Sequence, residues 1–232
     1  MRIAVIGTGK MGAAVAREVI RVGHTVAVEI GGGENRRGEA LTSARLAGVD
    51  LAIEFSRPDA AVANLTRLVE LGLPVVTGTT GWYHQLASVE TMVRATNGSL
   101  LYGPNFSIGA ALFQETAKAL AARLAGRPEF DCAISEAHHR EKRDAPSGTA
   151  TALRQALLGA DRSRQYPIVS TRLGWIPGTH AVLADGLFES IHLTHTVRDR
   201  AVFAQGAVVA AEWLLGRPGW FHFDDLLEGA SR

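Results

Sequence analysis

Apolar and polar positions alternate along the first part of the chain in a way that predicts strands followed by helices. Arg2–Ile6 is a short apolar run, Ala13–Val22 carries apolar residues at helical spacing, and Thr25–Val28 is again strand-like. The same order continues through strands and helices at Val49–Phe55, Pro58–Gly72, Leu73–Thr77, Gln85–Arg94 and Ser99–Tyr102. Regular alternation of this kind predicts a doubly wound parallel sheet with helices on both faces.

The pattern changes after a helix predicted over Gly109–Ala125. Strands then outnumber helices, because one helix, Thr149–Leu158, accompanies strands at Phe130–Ala137, Ile168–Leu173, His180–Ala184 and Leu187–Thr196. This set of elements predicts a mixed or antiparallel sheet. A last helix, Arg200–Leu215, is expected to pack back onto the first sheet, with Trp220–Leu227 as a C-terminal cap.

The fold class is therefore α/β, with an N-terminal Rossmann-like doubly wound parallel sheet and a smaller α+β domain with a mixed sheet. The first domain is predicted over residues 1–105 and is completed by residues 201–232. The second is predicted over residues 106–200.

Composition narrows the class of protein. Of 232 residues, 47% are hydrophobic and 20% are charged, and the formal net charge of +1 predicts no nucleic-acid partner. The one cysteine, Cys132, excludes an internal disulfide, and its apolar surroundings predict a buried thiol rather than a nucleophile. No apolar stretch reaches the roughly 18 residues of a membrane helix, and the chain begins directly with a strand. A cytoplasmic protein without a membrane segment is expected.

A glycine-rich turn at Gly7–Gly12 follows the first predicted strand and opens the first helix. Glycines in a G-x-G-x-x-G pattern permit a tight turn and a close approach of the backbone to a pyrophosphate, which binds at the helix N-terminus. Glu29 ends the second strand, where a carboxylate can accept hydrogen bonds from an adenosine ribose. Arg36 and Arg37 could instead reach a 2′-phosphate, so the choice between NAD and NADP stays open, with NAD or the use of both nucleotides favoured. Gly78–Thr80, after a later strand, is a second candidate cofactor loop.

The densest cluster of candidate chemistry lies between Glu136 and Ala150. His138, His139 and Lys142 are proton donors, and Pro146–Thr149 reads as a helix start that can bind a carboxylate. Taken alone, the charged run could be a solvated loop and Ser147 a simple helix cap. None of the usual zinc spacings occurs, so no metal is expected. The clustering favours chemistry on a small anion.

The segment Glu136–Ala150 resembles the signature E-x-H-H-x-x-K-x-D-x-P-S-G-T-A of the 4-hydroxy-tetrahydrodipicolinate reductase (dihydrodipicolinate reductase) family at every fixed position. Further matching segments run along almost the whole chain: Gly7–Gly12, Gly78–Gly81, Asn105-Phe106, Arg172-x-Gly174, Gly178-x-His180 and Arg200–Gly206. The resemblance implies that residues 1–105, completed by 201–232, bind the dinucleotide. It also implies that residues 106–200 bind the substrate and form a homotetramer through their sheets.

The implied reaction uses NADH or NADPH to reduce the dicarboxylate 4-hydroxy-tetrahydrodipicolinate, with loss of water, in lysine and diaminopimelate biosynthesis. Carried over by position, His138 is the proton donor and acceptor, Lys142 a proton donor, and His139, Gly148 and Thr149 hold the substrate. The implied cofactor residues are Gly7, Thr8, Gly9, Lys10, Met11, Gly12, Glu29, Gly78, Thr79, Thr80, Gly103, Pro104, Asn105 and Phe106. Closure about the chain crossings near Asn105 and Arg200 is expected, because hydride transfer needs close approach.

Two alternative functions, one departure from the family pattern and two residues without a role remain at this stage. A related imine or amino-acid dehydrogenase, such as an aspartate dehydrogenase, would share the domain plan, and a non-catalytic NAD(H)-binding redox sensor would share the first domain. The intact His-His-x-x-Lys segment argues against both. The short segment between Glu29 and Val49 predicts that the second Rossmann helix is truncated or lost. Glu136 and Asp144 carry no assigned role.

Overall fold

Residues 1–228, which the computed structural model describes, form ten strands and seven α-helices. The strands are β1 (Arg2–Ile6), β2 (Thr25–Ile30), β3 (Leu51–Glu54), β4 (Val75–Thr77), β5 (Ser99–Tyr102), β6 (Phe130–His138), β7 (Ile168–Arg172), β8 (Thr179–Gly186), β9 (Ser190–Thr196) and β10 (Gly219–His222). The helices are α1 (Lys10–Arg21), α2 (Pro58–Glu70), α3 (Leu86–Ala95), α4 (Ile108–Leu124), α5 (Gly148–Ala160), α6 (Ala201–Leu214) and α7 (Asp225–Glu228). None of the helices in this part of the chain has the length and hydropathy needed to cross a membrane.

The chain divides into two units, Met1–Ser107 with the segment from Ala201 onward, and Ile108–Arg200. In the first unit six strands pair in the order β10-β5-β4-β3-β1-β2, and every pair is parallel. The prediction of a Rossmann-like parallel sheet is confirmed. Strand β2 lies on one side of β1, whereas β3 and the strands that follow it lie on the other side, so the strand order reverses at β1. Ligands of such sheets bind beside the carboxyl ends of the strands at this reversal.

The first unit holds a large apolar core on the side of α2 and α3. Leu65 and Leu68 of α2 and Val93 of α3 are fully buried against the sheet, and Trp82 is enclosed with them. Burial of side chains of this size stabilises by roughly 1.5–3 kcal/mol each. The central strands β3 and β4 are buried on both faces, since α6 packs on β3, β4 and β5. This explains why they read as continuous apolar runs rather than as alternating patterns.

The connection between β2 and β3 contains turns and no helix in the described residues 31–50. This agrees with the loss of a helix predicted from the short spacing. Leu41 and Leu46 from this connection are buried in the core of the sheet. Two leucines therefore cover the part of the sheet that a second helix would otherwise cover.

The expectation of a simple C-terminal cap over Trp220–Leu227 is wrong for its first part. Gly219–His222 forms β10, which pairs in parallel with β5 and extends the sheet to six strands. The backbone groups at the edge of β5 need partners, and the chain that leaves α6 supplies them. Only the short helix α7 follows in the described residues.

The second unit is built on four strands in the order β7-β6-β8-β9. β6 and β7 are parallel, whereas β6–β8 and β8–β9 are antiparallel, so the predicted mixed sheet is confirmed. Helices α4 and α5 cover one face of the sheet. Their buried side chains meet those of the strands in one core, comprising Phe113, Ala117, Ala121, Ile134, Ala150, Leu153, Leu157, Tyr166 and Val182.

Candidate active site

The turn between β1 and α1 depends on two glycines. Gly7 has φ of 103°, and a Cβ atom there would overlap the carbonyl oxygen of Phe55. A Cβ atom at Gly12 would overlap the carbonyl oxygen of Gly7, so Gly12 lets α1 lie directly against the turn. Gly9 is the N-cap of α1, and no side chain caps the helix there. The first N–H groups of α1 therefore have no side-chain acceptor and can donate to an anion.

A cavity of about 810 Å³ lies beside this turn in the first unit. Its lining includes the glycine turn, the loop after β2 and the residue before α2, with Gly7, Thr8, Gly9, Arg36, Arg37 and Arg57 among its members. Glu29 is exposed and is not among the lining residues. Arg57 pairs with Asp59, which also lines the cavity, so Arg36 and Arg37, rather than the predicted Glu29, are the charged side chains left beside the anion-binding turn.

The loop after β4 contacts the same region. A Cβ atom at Gly78 would overlap the ring of Phe55, and the Thr79 hydroxyl accepts a hydrogen bond of 2.7 Å from the N–H of Ser56. Thr80 is exposed. The loop after β4 thus lies directly against the two residues that follow the carboxyl end of β3, as expected for neighbouring strands of a parallel sheet.

The loop after β5 is tightly packed. A Cβ atom at Gly103 would lie 2.8 Å from Cβ of Phe223, and Pro104 is exposed. The Asn105 side chain accepts a hydrogen bond of 2.9 Å from the N–H of Ser107. Phe106 is buried, with its ring centroid 5.8 Å from that of Phe55.

The other two predicted cofactor residues, Lys10 and Met11, lie in the first turn of α1.

A buried polar network lies under the cavity. Glu54, at the end of β3, accepts hydrogen bonds from the hydroxyls of Ser56 and Thr77, the latter at 2.6 Å. Asn64 of α2 donates to Ser56 at 3.2 Å, and Asn35 donates to Asn64 at 2.9 Å. Buried carboxylates and amides are stable only when they are hydrogen-bonded in this way. The network ties the strand ends to the loop that carries Arg36 and Arg37.

In the second unit, Glu136 and His138 lie on the same face of β6 because side chains two residues apart on a strand share a face. Both are buried, and Nδ1 of His138 is hydrogen-bonded to Oε2 of Glu136. A side chain at Gly178 would approach Nε2 of His138 at 3.3 Å. In the described part of the chain no hydrogen bond engages Nε2, which is therefore the ring nitrogen left for a ligand.

Two partners of this pair come from distant parts of the sequence. In the sheet register, His138 of β6 is opposite Arg172 of β7, and Glu136 is opposite His180 of β8. Arg172 Nη2 donates to Oε1 of Glu136 at 2.8 Å, and the His138 and His180 rings lie edge to face with centroids 5.1 Å apart. Neither Arg172 nor His180 was assigned to the site from the sequence. The signals available there were the Arg172-x-Gly174 and Gly178-x-His180 segments.

The loop between β6 and α5 carries the other predicted residues. Lys142 Nζ donates to both carboxylate oxygens of Asp144, at 2.8 and 2.9 Å. His139 is half-buried and accepts the N–H of Lys142 at 3.1 Å through its carbonyl, whereas Gly148 and Thr149 are exposed.

Ser147 is the N-cap of α5. Its hydroxyl accepts from the N–H of Ala150 and lies 3.1 Å from Nε2 of His180. The cap therefore belongs to the same polar cluster as the histidines.

Burial and charge set the protonation states. Burial alone would raise the pKa of Glu136, but hydrogen bonds from Arg172, Ser170 and His138 outweigh it and lower the pKa to about 2. Burial lowers the pKa of His138, and the adjacent Glu136 carboxylate opposes that effect. Burial and the nearby His138 lower the pKa of His180 to about 4. At neutral pH Glu136 is thus ionised and His180 neutral, while His138 can exchange a proton.

Other expectations concern metal ions and the cysteine. Glu136, His138 and His180 place one ligand atom each within 4.8 Å of one another. Both oxygens of Glu136 are already engaged, by Arg172 and His138, so hydrogen bonding accounts for this grouping. Cys132 is half-buried rather than buried, and burial raises the pKa of its thiol, which disfavours a nucleophilic role.

The geometry can be compared with known proteins. Residues 1–106 match the family model described as the N-terminus of dihydrodipicolinate reductase, and residues 109–227 match the model of its C-terminus. The chain belongs to the dihydrodipicolinate reductase family. Strands β6, β7 and β8 and the loop before α5 fall inside the second matched range. The resemblance inferred from the signature at Glu136–Ala150 is confirmed.

Individual relatives support the same family. The chain is 34% identical to the 4-hydroxy-tetrahydrodipicolinate reductase of Christiangramia forsetii over a 239-residue alignment that covers 98% of each protein. It is 39% identical to the enzyme of the same name from Xanthomonas euvesicatoria pv. vesicatoria over 179 residues, covering 77% of this chain and 73% of the relative.

Solved structures share the fold. The dipicolinate-bound dihydrodipicolinate reductase of Paenisporosarcina sp. TG-14 superimposes with a TM-score of 0.82 at 20% identity, covering 97% of this chain and 98% of that one. The aspartate dehydrogenase of Thermotoga maritima reaches a TM-score of 0.50 at 9% identity, covering 93% and 97%. The domain plan is thus shared with other dehydrogenases, and the family assignment rests on the sequence.

Proposed function

We propose that this protein reduces 4-hydroxy-tetrahydrodipicolinate to tetrahydrodipicolinate, as named for its relatives, in lysine and diaminopimelate biosynthesis. One hydride and one proton enter the substrate, and one molecule of water leaves it. The observation that carries the proposal is the buried Glu136–His138 pair beside Lys142, in a chain of this family. Proton donors of this kind are what the loss of a hydroxyl group as water requires.

His138 is the proposed proton donor and acceptor. Its Nδ1 is engaged by Glu136, so proton exchange with a substrate takes place at Nε2. The hydrogen bond to a carboxylate orients the ring and stabilises its protonated form. Lys142 is the second proposed proton donor, and its ammonium group also pairs with carboxylates, as its contact with Asp144 illustrates.

His139, Gly148 and Thr149 are the proposed substrate-binding residues. Gly148 and Thr149 begin α5 and are exposed, and the Gly148 N–H already donates to one carboxylate, that of Asp144, so a substrate carboxylate can take the same place at the positive end of the helix. Gly148 has no heavy atom within 4 Å of a Cβ position, which leaves space for a ligand. A dicarboxylate fits a site that combines this helix start with a lysine and a histidine.

The reduced nicotinamide of a bound NADH or NADPH supplies the hydride. The cavity beside the uncapped α1 suits its pyrophosphate, and Arg36, Arg37 and Arg57 line the same cavity. Arginines bind phosphates through bidentate hydrogen bonds, so Arg36 and Arg37 favour the 2′-phosphate of NADPH. The exposed Glu29 is the proposed partner of the ribose of NADH. We expect both nucleotides to be used, with NADPH preferred.

Each of the two units is proposed to bind one of the two ligands. The unit of Met1–Ser107 and the segment from Ala201 onward binds the dinucleotide, and Ile108–Arg200 binds the dicarboxylate. The uncovered face of the sheet in the second unit supports assembly into a homotetramer. A cytoplasmic location is proposed because it would supply reduced dinucleotide and keep Cys132 reduced.

The assay follows the absorbance of NADPH or NADH after the substrate is made in situ from pyruvate and aspartate semialdehyde. We expect oxidation of both nucleotides, with the lower KM for NADPH. His138→Gln should lower kcat by about 10²- to 10⁴-fold, the contribution of a positioned general acid, while His139→Gln mainly raises the KM of the dicarboxylate.

His84→Gln provides the control, because His84 is exposed in the first unit and belongs to neither proposed site. It should leave the kinetics unchanged. Absence of oxidation with either nucleotide contradicts the proposed function. A lower KM for NADH than for NADPH contradicts the role given to Arg36 and Arg37.

A further inference from the structure

Arg172, the last residue of β7, contacts two segments that carry proposed proton donors. Its Nη2 atom donates to Oε1 of Glu136 at 2.8 Å and to the carbonyl oxygen of Asp144 at 2.5 Å. Its Nε atom donates to the carbonyl oxygen of Lys142 at 3.2 Å. A guanidinium group has donors in a fixed planar arrangement and can make such contacts simultaneously. Arg172 therefore joins the strand of His138 to the loop of Lys142.

Glu136 is the buried centre of this arrangement. Its carboxylate has no exposed surface, and it accepts from Arg172 through one oxygen and binds Nδ1 of His138 through the other. The N–H of Ser147 lies 3.4 Å from Oε1. A buried carboxylate is stable only when it is paired and hydrogen-bonded, and removing one partner leaves an uncompensated charge. Glu136 thus has fixed partners on both sides and cannot turn away from His138.

We propose that Glu136 and Arg172 are positioning residues that together fix the orientation and protonation of His138 and hold the loop that carries Lys142. The inference deepens the proposed function, since it rests on His138 exchanging a proton with the substrate. Glu136 acts on His138 directly. Arg172 acts through Glu136 and through the backbone of the loop.

Four charged or titratable groups face the imidazole of His138: Glu136 on its own strand, Arg172 on β7, His180 on β8 and Lys142 in the following loop. Glu136 raises the pKa of His138, whereas burial, Lys142 and Arg172 lower it. His180 is uncharged at neutral pH because its pKa is lowered to about 4. The two positioning residues therefore push the pKa of His138 in opposite directions.

The test measures kcat/KM against pH for Glu136→Gln and Arg172→Gln. Activity that needs protonated His138 falls as pH rises through its pKa. Loss of the Glu136 charge lowers that pKa, so the fall should move to lower pH by about 1 unit or more. Loss of the Arg172 charge raises it, so the fall should move to higher pH. Each single variant should also lose on the order of 10²-fold in kcat, because a donor loses its fixed position.

The double variant Glu136→Gln/Arg172→Gln removes both charges together. Its pH profile should return toward that of the wild type, because loss of the two charges shifts the pKa of His138 in opposite directions. Glu136→Asp retains the charge on a shorter side chain and should keep the position of the pH limb while kcat falls. These two variants separate the electrostatic effect from a general loss of packing.

Arg164→Gln is the matched control. Arg164 forms a buried ion pair with Asp161 in the same unit, and it donates to the carbonyl of Phe130 at the opposite end of β6 from His138. Its loss should lower the unfolding temperature without moving the pH profile. If Glu136→Gln and Arg172→Gln leave the pH limb unmoved, or move it in one common direction, the proposal is overturned.

NMR titration of the His138 imidazole provides a readout that needs no turnover. Glu136→Gln should lower the pKa of His138 and Arg172→Gln should raise it, whatever the substrate. If the wild type does not turn over the dicarboxylate but the two variants still shift the pKa of His138 in opposite directions, the proposed function is wrong and the positioning roles stand. If the wild type is active but neither variant changes the pKa of His138, only the positioning roles are wrong.

Discussion

Asp144 had no role assigned from the sequence, but its contacts in the structure indicate one. Its carboxylate accepts both hydrogen bonds from Lys142, and a backbone hydrogen bond from Gly148 at the start of α5 also lowers its pKa. These are the same donors that the proposed substrate carboxylate would use. Asp144 therefore competes with the substrate for Lys142 and for the helix start.

Asp144→Asn should lower the KM of the dicarboxylate, because Lys142 no longer has to leave an ionised partner. An exposed ion pair stabilises by roughly 0.2–1 kcal/mol, so the expected decrease is up to about 5-fold. Steady-state kinetics at saturating nucleotide measure it.

Glu129→Gln is the control for Asp144→Asn. Arg127 and Glu129 have the same two-residue spacing in the same unit, and their exposed pair lies 3.6 Å apart. This variant should leave the KM unchanged. An increase in KM with Asp144→Asn would instead show that Asp144 holds the loop in place for the substrate.

At the scale of single residues, the sequence predicts only what is local. His138 and Lys142 stand close together in a polar run, so their clustering could be detected. Arg172 and His180 reach the same site through the registers of β6 with β7 and with β8, although Arg172 lies 36 residues after Glu136 in the sequence. Register is fixed by the face that each strand buries and by the connecting turns, so contacts between strands this far apart cannot be found from the polar run around His138 alone.

At the scale of elements, α6 shows how closely a helix approaches the loop after β5. A Cβ atom at Gly206 of α6 would overlap the carbonyl oxygen of Phe106. Phe106 also packs against Phe223, with ring centroids 4.8 Å apart, so the loop cannot move aside freely. Gly206 is thus the residue that lets α6 pack against this proposed cofactor loop.

Gly206→Ala should destabilise the protein by about 1–3 kcal/mol, the usual cost of overpacking a well-packed region. Urea unfolding measures the change. Gly159→Ala on α5 is the matched control, because no heavy atom lies within 4 Å of its Cβ position. Relief of glycine flexibility should make that variant more stable by about 0.5–1 kcal/mol. Equal effects of the two substitutions would contradict the close contact at Phe106.

Element boundaries and element roles differ in how well they follow from sequence. Strands β1 and β5 and helix α2 follow directly from apolar periodicity and from glycine and proline signals. β10 does not, because Gly219–His222 becomes a strand only by pairing with the free edge of β5. The lost helix between β2 and β3 could be predicted, since it depends on chain length alone.

At the scale of the whole molecule, α4 and α5 cover one face of the sheet of the second unit, and no element within residues 108–200 of that unit covers the other face. Val182 on β8 points into the core with α4 and α5, while its neighbour Leu183 points to the other face. Val169 of β7 is 60% exposed, and Leu187 and Phe188 at the β8–β9 turn are 85% and 93% exposed. Exposed apolar groups of this kind mark interaction surfaces. A second copy of this chain is the proposed partner.

Leu183→Asp should therefore convert the proposed homotetramer into smaller species. A charge at the centre of a sheet-to-sheet contact would lose its hydration without gaining a partner, which is costly. Light scattering coupled to size exclusion measures the mass.

Ile20→Asp on α1 is the matched control, because Ile20 is also apolar and is 65% exposed, but belongs to the dinucleotide unit. It should keep the wild-type mass. A wild-type protein that elutes as a monomer, or a Leu183→Asp variant that keeps the mass of the wild type, would contradict assembly through this face.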